Sequence, residues 1–115
     1  MIDFACKKFN IEEIIKCSLG LTKAEFEIFR FMIEESMEYS THDIAKKKKL
    51  ELSTVQRTVK KLVDKGLVHR RQVNLDQGGY IYLYQIKSRK EMKEKIITII
   101  HEWSGKVEKE LHLWK

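Results

Sequence analysis

Four helix-start signals divide most of this chain into helices, and they constrain its fold more than any other feature. Each has the capping-box form, in which a Ser, Thr or similar cap and the side chain three residues later satisfy each other's backbone N–H groups. Asn10 can cap one more helix ahead of them. The four signals are Thr22–Glu25, Ser40–Asp43, Ser53–Gln56 and Ser88–Glu91. The sequence therefore predicts five helices.

The spacing of apolar residues sets the extent of these helices and of one β-hairpin. Gly20 and Gly66 suit the position just after a helix, where a left-handed backbone is common. The segment NLDQGG is rich in residues that tolerate a turn, and it separates two short apolar runs, which predicts a hairpin. The predicted elements are helices at about 11–18, 23–36, 41–48, 54–65 and 89–114, and strands at 67–73 and 80–86.

Three helices followed by a hairpin are the element order of a winged helix-turn-helix. We therefore predict a mainly α fold with a small β-hairpin (α+β), extended by an N-terminal helix and a long C-terminal helix. The expected domains are an N-terminal helical arm at 1–20, a winged helix-turn-helix DNA-binding domain at 21–87 and a dimerisation helix at 88–115. A chain of 115 residues is long enough to bury one modest core.

Positive charge is concentrated in one segment of the chain. The formal net charge of the whole chain is +6. Residues 40–73 contain ten Lys and Arg residues against three acidic ones, a net charge of +7, and the remaining residues together carry −1. Dispersed charge would favour only solubility, whereas such a cluster favours a polyanionic partner. The run Lys46–Lys49 suits either phosphate contact or the C-terminal dipole of its own helix.

The predicted helix at 54–65 has the two-sided pattern of a DNA recognition helix. The alternative is the polar outer face of an ordinary surface helix, but the local charge and the following hairpin favour DNA. The N-terminal residues of a recognition helix reach base edges, where Arg57 suits guanine and Gln56 adenine, and later cations meet phosphates. The predicted core side is Val55, Val59, Leu62 and Val63. The predicted DNA-binding residues are Ser53, Thr54, Gln56, Arg57, Lys60 and Lys61.

The hairpin supplies two further candidate DNA-binding residues, Arg70 and Arg71, which end its first strand. A wing placed there would reach the minor groove or the backbone of the DNA. Three tyrosines of the second strand share one face, because side chains alternate along a strand. They could stack on bases or pack under the C-terminal helix. Packing is the favoured interpretation for Tyr82 and Tyr84, and both interpretations remain open for Tyr80.

The predicted C-terminal helix carries an apolar stripe along its full length of about 39 Å. One small domain does not easily cover such a stripe, so we expect a homodimer; the alternative is that the helix folds back over its own winged domain. The predicted dimer interface is Ile96, Ile100, Trp103, Val107, Leu111 and Trp114. A two-fold dimer would bind half-sites about one DNA turn apart, ~34 Å, in an approximately palindromic operator.

Several segments, taken in order, carry a family resemblance. LTKAEFEIFRFM followed by STHDIAKKKKLELSTVQRTVKKLVDKGLVHRR resembles the winged-helix domain of archaeal TrmB-like transcriptional regulators and, more distantly, MarR regulators. LDQGGYIYLYQI leading to EMKEKIITIIHEW is similar to a compact, single-domain branch of that group. The resemblance implies a DNA-binding transcription regulator, usually dimeric. It would make Ser53, Thr54, Gln56 and Arg57 base-facing and place Arg70 and Arg71 in the wing.

Two departures from the family pattern limit what the resemblance implies. Larger TrmB proteins carry a C-terminal sugar-binding domain, for which this chain of 115 residues leaves no room. A sugar effector is therefore not implied, and the effector stays unknown. The MarR wing usually presents an aspartate followed by an arginine, whereas here Gln77 follows Asp76.

Other classes of function find little support in the sequence. We expect no enzyme, no metal site and no cofactor, because no nucleophile–base pair, phosphate loop or metal-ligand motif is present. No apolar run approaches a membrane span and no signal-peptide core is seen, so a cytoplasmic protein without a membrane partner is expected. Cys6 and Cys17 could form a redox switch, although two ordinary thiols are the favoured interpretation.

Two alternatives to a DNA-binding regulator stay open. A winged helix can serve as a protein-interaction module of the transcription machinery, but that role would favour an apolar, weakly charged recognition face. Gln56, Arg57, Lys60 and Lys61 form the opposite kind of face. An RNA-binding module is harder to separate from a DNA-binding one, because attraction to phosphate is common to both.

Overall fold

A computed structural model of the protein describes residues 2–4 and 7–115, with side chains from residue 8 onward. The predicted fold class is confirmed, because a winged helix-turn-helix lies between an N-terminal helix and a long C-terminal helix. A short hairpin of β1 and β2 at the N-terminus was not predicted. The elements are β1 Ile2–Phe4, β2 Lys7–Phe9, α1 Ile11–Leu19, α2 Lys23–Glu35, α3 Thr41–Lys48, α4 Leu52–Asp64, β3 Val68–Asn74, β4 Tyr80–Ile86 and α5 Arg89–Leu113.

Four of the five predicted helix starts are confirmed. Asn10 accepts hydrogen bonds from two backbone N–H groups of α1. Thr22 and Ser40 both form complete capping boxes, at the starts of α2 and α3. Ser88 accepts a bond of 3.2 Å from the backbone N–H of Glu91 at the start of α5. These local signals predicted the helix starts correctly because each cap satisfies N–H groups that have no partner inside the helix.

The predicted capping box at Ser53 is wrong. The cap of α4 is Glu51, whose side chain makes no capping bond, and Ser53 lies within the first turn. The reason lies in the preceding turn, where Lys49 adopts a left-handed backbone with φ of 55° and reverses the chain. Leu50 then packs against the core, and the chain is already helical at Leu52.

One core joins all the helices to the root of the hairpin. On α4 the buried residues are Val55, Thr58, Val59 and Leu62. Three of these four were predicted, whereas Val63 is only half-buried and Thr58 takes its place. The apolar core consists of Leu19, Leu21, Ile28, Phe29, Met32, Tyr39, Ile44, Val55, Val59, Leu62, Leu67, Val68, Ile86 and Met92.

The strands β3 and β4 pair antiparallel and form the wing. Their register runs from Val68 opposite Ile86 at the root to Asn74 opposite Tyr80 at the tip. Tyr39, between α2 and α3, extends the sheet, because its N–H and C=O bond the backbone of Tyr84 at 2.9 and 2.8 Å. Tyr84 packs against the core as predicted. However, β4 packs mainly against α2 and α3, not under the C-terminal helix as predicted.

The two halves of α5 lie in different surroundings. Met92 is buried, and Ile96 and Ile99 pack against the core. Beyond them Trp103 is 65% exposed and Trp114 80% exposed. The second half therefore extends from the winged domain, and the molecule measures 64 × 26 × 24 Å. Across the described residues, no helix combines the length and the apolar character that a membrane span requires.

Candidate nucleic-acid interface

The helix α4 presents one polar face to solvent. Ser53, Gln56, Arg57 and Lys60 are exposed, and they recur at intervals of three and four residues, so they form one stripe. Thr54 and Lys61 were predicted to belong with them, but both are half-buried on the flank of the helix. The stripe begins with small and amide side chains and continues with cations.

The position of α4 is fixed from three sides. It packs against α2, α3 and β3, and Val55 and Leu62 on its inner side are fully buried. Only the turn Lys49–Glu51 separates it from α3, which is the arrangement of a helix-turn-helix. A helix held in this way presents its outer face as a rigid surface.

A buried carboxylate lies directly behind this outer face. Glu25 on α2 is 1% exposed, and its Oε1 accepts hydrogen bonds from the backbone N–H of Thr22 at 3.0 Å and from Nζ of Lys61 at 2.9 Å. Its Oε2 lies 3.4 Å from the Thr58 hydroxyl and 3.7 Å from Nε of Arg57. Arg57 and Lys61, two cations of α4 that were predicted to bind DNA, therefore both contact one buried carboxylate.

Opposing effects act on the pKa of Glu25. Burial raises it, whereas the hydrogen bond from the Thr22 backbone and the bond and charge of Lys61 lower it. The lowering effects are larger in sum, so the pKa lies below its ordinary value. Glu25 is therefore ionised at neutral pH and offsets part of the positive charge of α4.

The two wing arginines lie on opposite faces of the hairpin. Arg70 pairs with Tyr84 in the β3–β4 register and lies over the Tyr82 ring, with the guanidinium carbon 4.5 Å from the ring centroid. Arg71 donates two hydrogen bonds to the carboxylate of Glu38, at 2.9 and 3.0 Å. Because of these bonds the pKa of Glu38 is lowered and that of Arg71 is raised. Both arginines remain exposed.

The tip of the wing is open and carries an aromatic side chain. Gly78 and Gly79 have φ of 92° and 81°, a region that side-chain-bearing residues rarely adopt, so the tight turn needs glycine there. Next to it Tyr80 is exposed, and its ring meets the edge of Tyr82 at a centroid distance of 5.4 Å. Of the three tyrosines on this face, Tyr80 is therefore the most exposed, whereas Tyr82 and Tyr84 are half-buried.

The lysine run at the end of α3 adds positive charge beside α4. Lys46, Lys47 and Lys49 are exposed and Lys48 is half-buried. Nζ of Lys47 lies 5.4 Å from the centroid of the Tyr39 ring, so this cation is partly engaged within the molecule.

Glu25, Glu38 and Tyr82 contribute to the interface as partners of the arginines and of Lys61, and the sequence did not indicate these roles. Glu25 was recognised only as part of a capping box. Its distance of 36 residues from Lys61 along the chain leaves no local pattern. The pair Arg71–Glu38, 33 residues apart, is hidden for the same reason.

The remaining candidate residues lie outside this interface. Of the predicted dimer residues, Ile96 and Ile100 are half-buried, while Trp103, Val107, Leu111 and Trp114 are exposed along α5. Cys17 is exposed on α1, and Cys6 lies outside the described residues, so a redox switch stays a prediction. Within the described part of the chain, no three His, Cys, Asp or Glu side chains are grouped as metal ligands.

Comparison with known proteins finds a family and similar archaeal proteins. The family model described as the DnaD N-terminal domain matches residues 9–107. The uncharacterized protein MJ1503 of Methanocaldococcus jannaschii is 32% identical over 104 residues, which cover 90% of this chain and 78% of that protein. A solved structure described as a possible transcriptional regulator from Methanosarcina mazei Go1 is 43% identical, with a TM-score of 0.87, and the match covers 100% of this chain and 97% of that one.

More distant structures share the fold. Sco5413, a MarR family transcriptional regulator from Streptomyces coelicolor, is 21% identical with a TM-score of 0.51, over 91% of this chain and 68% of that one. A mutant MepR from S. aureus bound to an oligodeoxyribonucleotide is 17% identical with a TM-score of 0.54, over 84% and 70% of the two chains. The expected resemblance to archaeal and MarR-like winged-helix regulators is therefore confirmed. The DnaD N-terminal domain was not among the families that the motifs suggested.

Proposed function

Because this chain belongs to the DnaD N-terminal domain family and has a winged helix-turn-helix fold, we propose that it is a sequence-specific DNA-binding transcriptional regulator that acts as a homodimer. The similar Methanosarcina mazei protein is described as a possible transcriptional regulator, and the MepR structure holds an oligodeoxyribonucleotide on the same fold. Both support the proposal, as does the net charge of +7 over residues 40–73. The protein acts by binding rather than by catalysis.

The observation that carries the proposal is the exposed stripe of α4. A protein-interaction module would expose apolar side chains there, whereas this stripe holds Ser53, Gln56, Arg57 and Lys60. In the major groove, Ser53, Thr54, Gln56 and Arg57 at the N-terminal end face base edges, and Lys60 and Lys61 face the phosphates.

The wing adds contacts beside the recognition helix. Arg70 and Arg71 lie on β3 and are exposed, so either reaches a phosphate or the adjacent minor groove. Arg71 is paired with Glu38, whereas among the described residues the charge of Arg70 is engaged only by the face of the Tyr82 ring. Arg70 is therefore the more available cation of the two.

The second half of α5 is the proposed dimer interface. Trp103, Val107, Leu111 and Trp114 lie along one side of the helix, where they line a shallow groove together with Lys106 and Glu110. A monomer would leave this apolar surface in water, and a second copy of the chain would cover it. The half-buried Ile96 and Ile100 lie at the inner edge of the same side. Two α4 helices related by a two-fold axis then read half-sites about one turn, ~34 Å, apart in an approximately palindromic operator.

The proposal is tested by replacing the base-reading and phosphate-binding residues separately. Duplexes are selected from a library with about 20 randomised base pairs, enough for two half-sites, and affinities are measured by fluorescence anisotropy. We expect Arg57→Ala to cost roughly 1–3 kcal/mol on the selected duplex and to relax specificity at one base pair per half-site. Removing a bidentate contact to a base has this effect.

Lys60→Ala is the matched control, because it lies one turn further along the same face. It should weaken all duplexes alike and reduce the slope of log affinity against log salt by about 0.9. A sequence-selective loss at Lys60, or no selected duplex at all, would contradict the proposal. Duplex RNA of the selected sequence serves as competitor, and equal binding would favour the RNA-binding alternative.

A further inference from the structure

We propose that Glu25 is a positioning residue that acts in opposite ways on two cations of α4. It orients Arg57 for base recognition, and it withholds Lys61 from the DNA phosphates. This inference rests on the proposed DNA-binding function and deepens it, because it explains which side chains of the recognition helix are available to DNA. It also revises the assignment of Lys61 as a phosphate contact.

Glu25 cannot contact DNA itself. It is 1% exposed and lies beneath the flank of α4, so apart from the field of its charge it can affect DNA only through the side chains that it touches. Among the described residues, its charged partners are Arg57 and Lys61, and its neutral polar partners are Thr22 and Thr58.

The geometry at Arg57 leaves the outer part of its guanidinium free. Nε lies 3.7 Å from Oε2 of Glu25, while the side chain is 62% exposed. A guanidinium offers five N–H donors in a planar fork, so the Nη groups stay available for a bidentate contact. An unanchored arginine must give up its rotamer freedom when it bonds a base. An arginine held by Glu25 has lost part of that freedom beforehand.

The geometry at Lys61 does the opposite. Its Nζ bonds Oε1 of Glu25 at 2.9 Å and lies 3.5 Å from the carbonyl oxygen of Gly20, and its side chain is 38% exposed. A phosphate would have to compete with both oxygens and would leave a buried carboxylate short of a counter-ion, which is costly. Lys60, the adjacent exposed cation, forms no ion pair among the described residues and is free to meet a phosphate.

Glu25→Gln in the full-length protein tests the proposal, because glutamine keeps the size and the capping-box role of glutamate but not its charge. On the duplex selected above, we expect discrimination at the base pair read by Arg57 to fall roughly five-fold or more. We expect the salt dependence to steepen by up to about 0.9 in the log–log slope, because Lys61 becomes free to neutralise a phosphate. Affinity for an unrelated duplex at low salt should rise.

A purely structural role predicts a different pattern. Loosening of α4 would lower the affinity for every duplex and would not steepen the salt dependence. In the Arg57→Ala background, Glu25→Gln should change discrimination no further, since the side chain that it positions is gone. If Arg57→Ala loses discrimination and Glu25→Gln retains it, this inference is overturned while the proposed function stands. If the wild-type protein selects no duplex, both are overturned.

A measurement on the unbound wild-type chain tests the anchoring of Arg57 even if the Gln variant does not fold. Nitrogen relaxation of arginine Nε–H groups reports side-chain order on the picosecond to nanosecond scale. We expect a higher order parameter for Arg57 than for Arg89, an exposed arginine at the start of α5 whose value should lie below about 0.6. Equal mobility of the two would overturn the anchoring of Arg57.

Discussion

Glu25 contacts residues both near to it and far from it in the sequence. Through Thr22 it caps its own helix, and through Lys61 it joins α2 to α4. Its neighbourhood could not be predicted, because an acid at the third position of a helix and a lysine on the outer side of another both have the pattern of surface residues. The burial of Glu25 against Lys61 follows only from how α2 packs on α4.

The lowered pKa of Glu25 makes the stability of the protein depend on pH. A carboxyl whose folded pKa lies below its ordinary value stabilises the fold above that value and loses this contribution as pH falls through the folded pKa. The ordinary value is 4.5. We therefore expect the free energy of unfolding to fall from about pH 6 to about pH 3 more steeply in the wild type than in Glu25→Gln.

Urea denaturation followed by circular dichroism, repeated along the pH series, measures this difference. Glu38→Gln is a useful comparison, because the pKa of Glu38 is also lowered but its pair with Arg71 lies at the surface. Such a pair contributes little to stability, so its curve should stay close to that of the wild type. Parallel curves for the wild type and Glu25→Gln would refute the assignment.

Among the elements, α4 shows most clearly what local sequence can and cannot predict. Three of its four predicted core residues, the exposure of four of the six residues predicted for its outer face, and its end near Gly66 agree with the structure, because each depends on residues within a few turns. Its start was not predicted correctly, because Lys49 and Leu50 set the direction in which the chain enters the helix. The N-terminal hairpin was missed because strands of three residues are too short to show alternation.

The uncapped start of α4 predicts a stabilising substitution. Glu51 makes no side-chain capping bond, so Glu51→Ser should raise the free energy of unfolding by about 0.5–1 kcal/mol, since serine can accept a bond from an unpaired N–H group. Ser53→Ala should change it by less than about 0.5 kcal/mol, because Ser53 is not the cap. Urea denaturation measures both effects.

Ser40→Ala provides the matched control for this prediction. Ser40 forms a complete capping box at the start of α3, and its loss should cost about 1 kcal/mol. If Ser53→Ala were as destabilising as Ser40→Ala, Ser53 rather than Glu51 would be the cap of α4.

For the molecule as a whole, the exposed half of α5 is the surface through which we propose that two chains form a dimer. Trp103 is 65% and Leu111 59% exposed on the same side of the helix. The 115-residue chain with Trp103→Lys and Leu111→Lys should sediment at the monomer mass of 13.8 kDa, and the wild type at twice that mass. The reason is that two charges in an apolar interface would lose their hydration without gaining a partner.

Thr98→Lys is the control for the dimer, since Thr98 is also exposed on α5 but lies on the opposite side of the helix. It should leave the sedimentation unchanged. A dimer that persists in the double variant would move the interface to another surface, such as α1, where Ile11 is exposed.

The bonds between Tyr39 and Tyr84 have a consequence for motion. They place β4 between β3 and the segment before α3, so the amide proton of Tyr84 exchanges only after its bond to the Tyr39 carbonyl has broken. At the other end of the hairpin, Asn74 and Tyr80 adjoin an exposed turn whose opening disturbs no core residue. Among the backbone amides of β4, hydrogen–deuterium exchange should therefore be slowest at Tyr84 and fastest near Tyr80. The tip can thus adjust its shape at little cost in free energy, while opening the root of the wing would expose the core residues Val68 and Ile86.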